Sequence, residues 1–207
     1  MISLLHRLAR DARGGPAAEF ALVLPLILIF LLGIIDVGRY AWEINQAEKA
    51  TQTGARWAAA TDMVPTGLST YSFATSAGIP AGNPVPASAF PDVNCASSGT
   101  TTSCSCTGCS FPTTVGTNGQ AAFTNLVNRM REIKPDIAAS NVAIRYSYSG
   151  LGFAGDPNGP DVAPIISVRL QNLQFVPTTL VLFGGSIALP DFSYSLTMED
   201  GAGTTSN

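Results

Sequence analysis

An uninterrupted apolar run near the amino terminus limits what this chain can fold into more than any other feature. From Phe20 to Ile35 no residue is charged, and only Pro25 and Gly33 weaken a helix. As a helix the run covers about 24 Å, and its small flanking residues bring it close to the roughly 30 Å of a bilayer core. The sequence therefore predicts a membrane-spanning helix, with a kink at Pro25 because proline lacks an amide hydrogen.

Charges on either side of the run predict its orientation. Residues 1–14 carry one acid, Asp11, against four basic or titratable side chains: His6, Arg7, Arg10 and Arg13. Positive flanks stay in the cytoplasm, so the remainder of the chain is predicted to be periplasmic. A cleaved secretory signal is the alternative, but it needs a small-residue cleavage site directly after the run, where a polar stretch stands instead.

A helical period continues beyond the run without staying apolar. Mostly small residues recur there at spacings of three and four: Val37, Tyr40, Ala41, Ile44, Ala47, Thr51, Gly54, Ala55 and Ala58. The pattern predicts that the membrane helix continues as a stalk, giving one helix of roughly 45 residues or 65 Å over 15–61. Small residues let helices approach closely, so the stripe suits packing on the chain's own domain or against neighbouring subunits. The sequence leaves both open.

Several features of this region together resemble a known family. Gly14, the Glu19–Phe20 pair, and the stretches ALVLPLILIFLLGIIDVGR and ATQTGARWAAA are similar to the TadE-like minor pseudopilins of tight-adherence (Flp-type, type IVb) pilus systems. The resemblance covers about Gly14 to Thr61. It implies a non-catalytic role in pilus assembly at the bacterial inner membrane. The implied partners are a prepilin peptidase, other pilins or pseudopilins, and proteins of the assembly platform.

The resemblance also implies roles for individual residues. A prepilin peptidase would cut between Gly14 and Gly15, which makes residues 1–14 a cytoplasmic leader. Glu19, with Phe20 beside it, would set subunit register by pairing with the new α-amino group of a neighbour. The alternative for Glu19 is an acid in the first helical turn, favoured by the helix dipole. At the level of the chain, the alternatives are an uncleaved single-pass assembly factor and an exported adhesive or binding module.

Four cysteines fall in the segment 62–119, which is rich in Pro, Gly, Ser and Thr and is predicted to be irregular with at most short helical turns. They are Cys95, Cys104, Cys106 and Cys109. In an exported segment they favour two disulfides. Of the three connectivities, Cys95 joined to Cys104 or to Cys106 is preferred, because Cys95–Cys109 would require a short, strained Cys104–Cys106 ring. Zinc is the alternative. A structural zinc site usually has two pairs of ligands separated by two residues, and here only Cys106 and Cys109 have that spacing. The sole histidine, His6, is predicted to lie on the other side of the membrane. No metal and no cofactor are predicted.

Regular patterns return in the segment 120–207. A helix is predicted from Gln120 to a stop at Pro135, followed by alternating strands at 142–149, 165–171 and 192–199. The fold class is α+β: a long amino-terminal transmembrane and stalk helix, then a small antiparallel β-sheet domain with one further helix. The apolar stretch FVPTTLVLFGGSIALP is too short to span a membrane. Core packing and covering a partner both remain open for it.

Composition excludes several functions. The chain is 12% charged with a net charge of −3 and has no basic run beyond its first residues, which argues against nucleic acid as a partner. No histidine follows His6, so Ser-His and Cys-His nucleophile pairs are excluded in the exported part. Asp156, Asn158 and Asp161 offer oxygens but lack the closing glutamate of a calcium loop, and turn chemistry accounts for them. The sequence predicts a protein that is not an enzyme.

Overall fold

The computed structural model describes residues 15–157, 159–181 and 184–198. The chain divides into two units. Unit 1 consists of residues 1–42 and 175–187, and unit 2 of residues 43–174 and 188–207. The predicted leader, 1–14, therefore lies outside the described residues.

The longest element is helix α1, Gly15–Ala60, with Pro25 inside it. This confirms the predicted long amino-terminal helix. Its two parts differ in burial. In unit 1 the run from Phe20 to Ile35 is exposed except at half-buried Gly33. In unit 2 five alanines of α1 are buried: Ala47, Ala50, Ala55, Ala58 and Ala59.

Unit 2 contains a five-stranded antiparallel sheet with the order β2-β1-β3-β4-β7. Its strands are β1 (Val93–Ser97), β2 (Thr102–Cys106), β3 (Val142–Ser147), β4 (Ile165–Leu170) and β7 (Phe192–Thr197). The helices after α1 are α2 (Phe73–Ser76) and α3 (Thr117–Arg131). Two short strands, β5 (Gln174–Phe175) and β6 (Ile187–Ala188), form a separate two-stranded sheet. Together these elements confirm the α+β class.

The core of unit 2 lies where the sheet, α3 and the carboxyl-terminal part of α1 meet. On β3, Val142, Ile144 and Tyr146 are buried, as their alternation predicts. On α3 the apolar face is also buried: Phe123, Leu126, Val127 and Met130. α1 approaches α3 closely at Gly54, because a Cβ built there would lie 2.8 Å from Met130 Cγ. Small residues on this part of α1 therefore pack on the chain's own domain.

The prediction that the segment 62–119 is irregular was wrong over residues 93–106. Between Val93 and Cys106 the chain forms β1 and β2, and β1 pairs with β3 so that Cys95 lies opposite Ile144. The segment consists mostly of Ser, Thr, Gly and Cys and lacks an alternating apolar pattern, so its local strand signal is weak. Pairing with a strand almost fifty residues later stabilises it instead. The predicted helix and three later strands are confirmed, although the predicted end at Glu199 falls outside the described residues.

Candidate functional site

The predicted register motif lies on the first turns of α1. Gly15 is the first residue of the helix, while Gly14, the other half of the predicted processing site, lies outside the described residues. Glu19 and Phe20 are both exposed. Within the described residues, the Glu19 side chain makes no hydrogen bond or ion pair. The carboxylate is therefore presented outward from the chain. The kink expected at Pro25 stays a prediction.

The surface that follows Glu19 is apolar. The described part of the chain contains one helix, α1, that is long and apolar enough to cross a bilayer, with a mean hydropathy of 2.8 over 18 residues. Only 6% of that window is buried. Leu22, Leu26 and Phe30 are each more than 60% exposed. Unlike the core helix of a soluble protein, this segment offers its apolar side chains to something outside the chain.

An acid also stands at the other end of the run, and it is buried. Asp36 directly follows Ile35, and its carboxylate is enclosed by the loop of residues 175–181, which we call the clasped loop. The backbone N–H of Thr178 donates to Oδ1 at 2.7 Å, and that of Thr179 donates to Oδ2 at 2.9 Å. The Thr179 hydroxyl donates to the same Oδ2 at 2.8 Å. Three donors from two consecutive residues therefore hold one carboxylate.

The side chains around Asp36 add charge and aromatic contacts. Arg39 Nη1 lies 3.2 Å from Asp36 Oδ1 and donates to the Thr178 hydroxyl at 2.6 Å. Its guanidinium also lies 5.4 Å from the centre of the Phe175 ring, on which Tyr40 packs edge to face at 5.5 Å. Burial raises the pKa of Asp36, but the hydrogen bonds from Thr179 and Thr178 outweigh it and hold that pKa well below its usual range.

Residues 14–56 match the family model described as TadE-like protein. Residues 14–56 are thus similar to TadE-like proteins. The match covers about a fifth of the chain and includes Glu19, the apolar run and Asp36. It associates this TadE-like segment with Tad pilus systems. No curated protein and no solved structure matches the chain.

The sequence pattern singled out Glu19 but missed Asp36. Its partners stand 142 and 143 residues away, so no local spacing joins them. One signal was present: two threonines interrupt the apolar stretch FVPTTLVLF, where polar side chains need a partner. An acid at the end of a membrane run needs one as well.

The carboxyl-terminal part of the TadE-like segment holds a second buried charge cluster, in unit 2. The Lys134 side chain is 2% exposed, and its ammonium pairs with Glu43 of α1 and, at 3.0 Å, with Asp136. Burial lowers the pKa of Lys134, but the hydrogen bonds with Glu43 and Asp136 raise it above its ordinary value. The cluster ties α1 to the end of α3 and has a structural explanation.

The cysteines lie outside the TadE-like segment and form two disulfides, Cys95–Cys104 and Cys106–Cys109. The first joins residues that face each other across β1 and β2. This is one of the two pairings that the sequence favoured for Cys95. Because all four sulfurs are in disulfides, none is a thiolate available to zinc.

The acidic loop after β3 braces the fold. Asp161 is buried and accepts hydrogen bonds from the backbone N–H of Phe73 at 2.6 Å and of Asp156 at 3.0 Å. Asn158 falls outside the described residues. Within the described ranges no three His, Cys, Asp or Glu side chains cluster as metal ligands do. The Asp161 carboxylate is therefore used in one long-range bond to Phe73 as well as in a bond within its own loop.

Proposed function

We propose that this chain is a non-catalytic, TadE-like minor pseudopilin that takes part in assembling a tight-adherence (Flp-type) pilus. The observation that carries the proposal is the TadE-like match over residues 14–56, which begins at the predicted processing site and includes the exposed Glu19. An apolar helix with an outward carboxylate at its head suits a subunit whose partners are lipid and other helices.

In this function Glu19 sets the axial register of subunits. Prepilin peptidase removes residues 1–14 and leaves Gly15 with a positively charged α-amino group. Taking each ion out of water costs several kcal/mol, and pairing the Glu19 carboxylate with that group on a neighbour offsets part of the cost. Since the two charges meet at one axial offset only, the pair selects one register.

The proposed organisation follows the charge asymmetry of the ends. Residues 1–14 form a cytoplasmic leader, residues 15–61 span the inner membrane and continue as a stalk, and 62–119 and 120–207 are periplasmic. The two disulfides support an oxidising compartment for the exported part. The partners are the inner membrane, prepilin peptidase, other pilins or pseudopilins, and the assembly platform.

Two exposed carboxylates on α1 allow a matched test. In cells that carry the cognate pilus system, Glu19→Ala should keep its membrane level but lose crosslinking to partner subunits and lose pilus assembly. Glu19→Gln should behave in the same way, since it keeps shape but removes the charge. Glu48→Ala, which removes an exposed carboxylate beyond the apolar run, should leave assembly intact.

Mass spectrometry of the mature amino terminus in the same cells separates the register mechanism from processing. All three variants should begin at Gly15, whereas a bulky residue at position 14 should block the cut. Full assembly with Glu19→Ala would remove the register mechanism even with normal cleavage. An intact amino terminus beside active peptidase would favour an uncleaved single-pass assembly factor.

A further inference from the structure

Unit 1 carries an exposed apolar surface in addition to the apolar face of α1. It lies on the clasped loop, where Val176, Leu180 and Val181 are 48%, 38% and 57% exposed. Phe175, at the start of the loop, is by contrast 4% exposed. Three outward apolar side chains within six residues do not fill the core, so they are available to an external apolar phase.

The depth of this surface is fixed by Asp36. Because Thr178 and Thr179 donate to the Asp36 carboxylate, the loop is held at the first residue beyond the apolar run. Val181 is two residues from Thr179 and therefore lies within about 7 Å of that attachment. The polar zone of a bilayer adds roughly 5–8 Å on each side of its hydrocarbon core. The loop thus falls within the lipid interface of any bilayer that the run spans.

Three backbone N–H groups of the loop are already hydrogen-bonded within the protein, which lowers the cost of placing the loop near lipid. The amides of Thr178 and Thr179 are bonded to Asp36, and that of Leu180 donates to the Pro177 carbonyl at 3.1 Å. Pro177 itself has no amide hydrogen. Unpaired backbone groups are the main cost of placing a loop near lipid, and these donors are already paired.

One further side chain of α1 lies beside the loop. The side chain of Arg39 is 48% exposed while it contacts Asp36 and Thr178, so its charge lies beside the loop and can meet a lipid phosphate. Trp42 is 65% exposed one turn further along the helix. It is seven residues beyond Ile35, or about 10 Å along the helix, so it lies past the level of the loop.

We propose that the clasped loop inserts Val176, Leu180 and Val181 into the lipid interface at the end of the apolar run. The chain then contacts the membrane through a loop as well as a helix, and Asp36 positions that loop. This inference rests on the membrane anchor of the proposed function. The occupant is lipid rather than a second protein copy, because the loop lies at the level of the lipid headgroups and a lipid phosphate suits the half-exposed Arg39 beside it.

Depth-dependent quenching of a single tryptophan tests the insertion. The full chain, with Trp42 and Trp57 replaced by Phe, is reconstituted in vesicles whose lipids carry bromine near the headgroup end of the acyl chains. Val181→Trp reports on the loop. Leu151→Trp is the matched control, since Leu151 is a similarly exposed apolar residue of unit 2, at 55%. Mass analysis verifies both disulfides in each variant.

Bromine should reduce the Val181→Trp emission by about twofold or more and leave the Leu151→Trp emission unchanged. Adding Asp36→Ala should release the loop and reduce the quenching of Val181→Trp towards that of Leu151→Trp. Unquenched and water-exposed Val181→Trp emission in a chain that floats with the vesicles would overturn the insertion and leave the anchor standing. Blue-shifted but unquenched Val181→Trp emission would also overturn it, since protein would then cover the loop. A chain that fails to float would overturn the anchor and the insertion together.

Discussion

Helix α1 uses the same residue types in opposite ways along its length. Glu19, in unit 1, is exposed and makes no ion pair or hydrogen bond within the described residues, whereas Glu43, in unit 2, pairs with the buried Lys134. A Cβ built on Gly38 would meet no atom within 4 Å, whereas a Cβ built on Gly54 would lie 2.8 Å from Met130 Cγ. Within one helix, therefore, Glu43 and Gly54 of unit 2 are matched to their own domain, whereas Glu19 and Gly38 of unit 1 meet no partner among the described residues.

This difference shows which part of the helix is available for assembly. A small-residue stripe over 37–58 suited both self-packing and subunit packing, and the buried alanines from Ala47 onward assign that part to self-packing. The surface from Glu19 to Ile35 is not used by the described residues of its own chain. Asp36 lies at the end of that surface, and its hydrogen bonds are already made within unit 1.

The largest effect is expected from a matched pair of glycine substitutions. Gly54→Leu forces a branched side chain against Met130 and Leu126, and should lower the free energy of unfolding of unit 2 by about 3 kcal/mol. Gly38→Leu meets open space and should leave that transition unchanged. Urea titration in detergent micelles, followed by tryptophan fluorescence, measures both. Equal shifts would mean that the close approach of α1 and α3 is absent in solution.

A smaller effect is expected from the two glutamates. Glu43→Gln leaves the buried Lys134 with only Asp136 as a charged partner and should cost about 2 kcal/mol, the usual worth of a charged hydrogen bond. Glu19→Gln should leave the same urea transition unchanged. Because the pKa of Lys134 is raised above its ordinary 10.5, the Glu43 effect should persist from neutral pH up to about 10.5 and fade as the pH rises through the raised pKa. A destabilised Glu19→Gln would show that Glu19 is matched within its chain after all.

The smallest effect is local and concerns Asp36. Its pKa lies below the ordinary 3.8, so its contribution is present above pH 3.8 and is lost as the pH falls through the lowered pKa. Hydrogen-exchange protection of the Thr178 and Thr179 amides should therefore be constant down to about pH 3.8 and then fall, with unit 2 unaffected. Asp36→Asn keeps an acceptor but removes the charge, so its protection should be lower and independent of pH. Identical protection in both proteins at every pH would break the assignment of Asp36 as the anchor of the loop.

Local periodicity explains the elements that the sequence predicted. Residue spacing alone identified the length of α1, the apolar face of α3 and the alternation in β3, β4 and β7. Each of these patterns depends only on residues that are close together in the sequence. The candidate register residue, Glu19, was also visible locally, because a charge at the head of an apolar run is costly. The resemblance over the same segment agrees with the match at residues 14–56.

Tertiary structure alone decided the features that join distant residues. β1 and β2 have little local strand signal and depend on pairing with β3. Asp36 and Thr178 are 142 residues apart, and Lys134 and Glu43 are 91 apart. A buried charge is stable only with a partner brought to it by the fold, and a chain of this length offers many candidates. The sequence by itself thus determined an exposed apolar helix headed by a carboxylate, while folding determined which charges the protein satisfies internally.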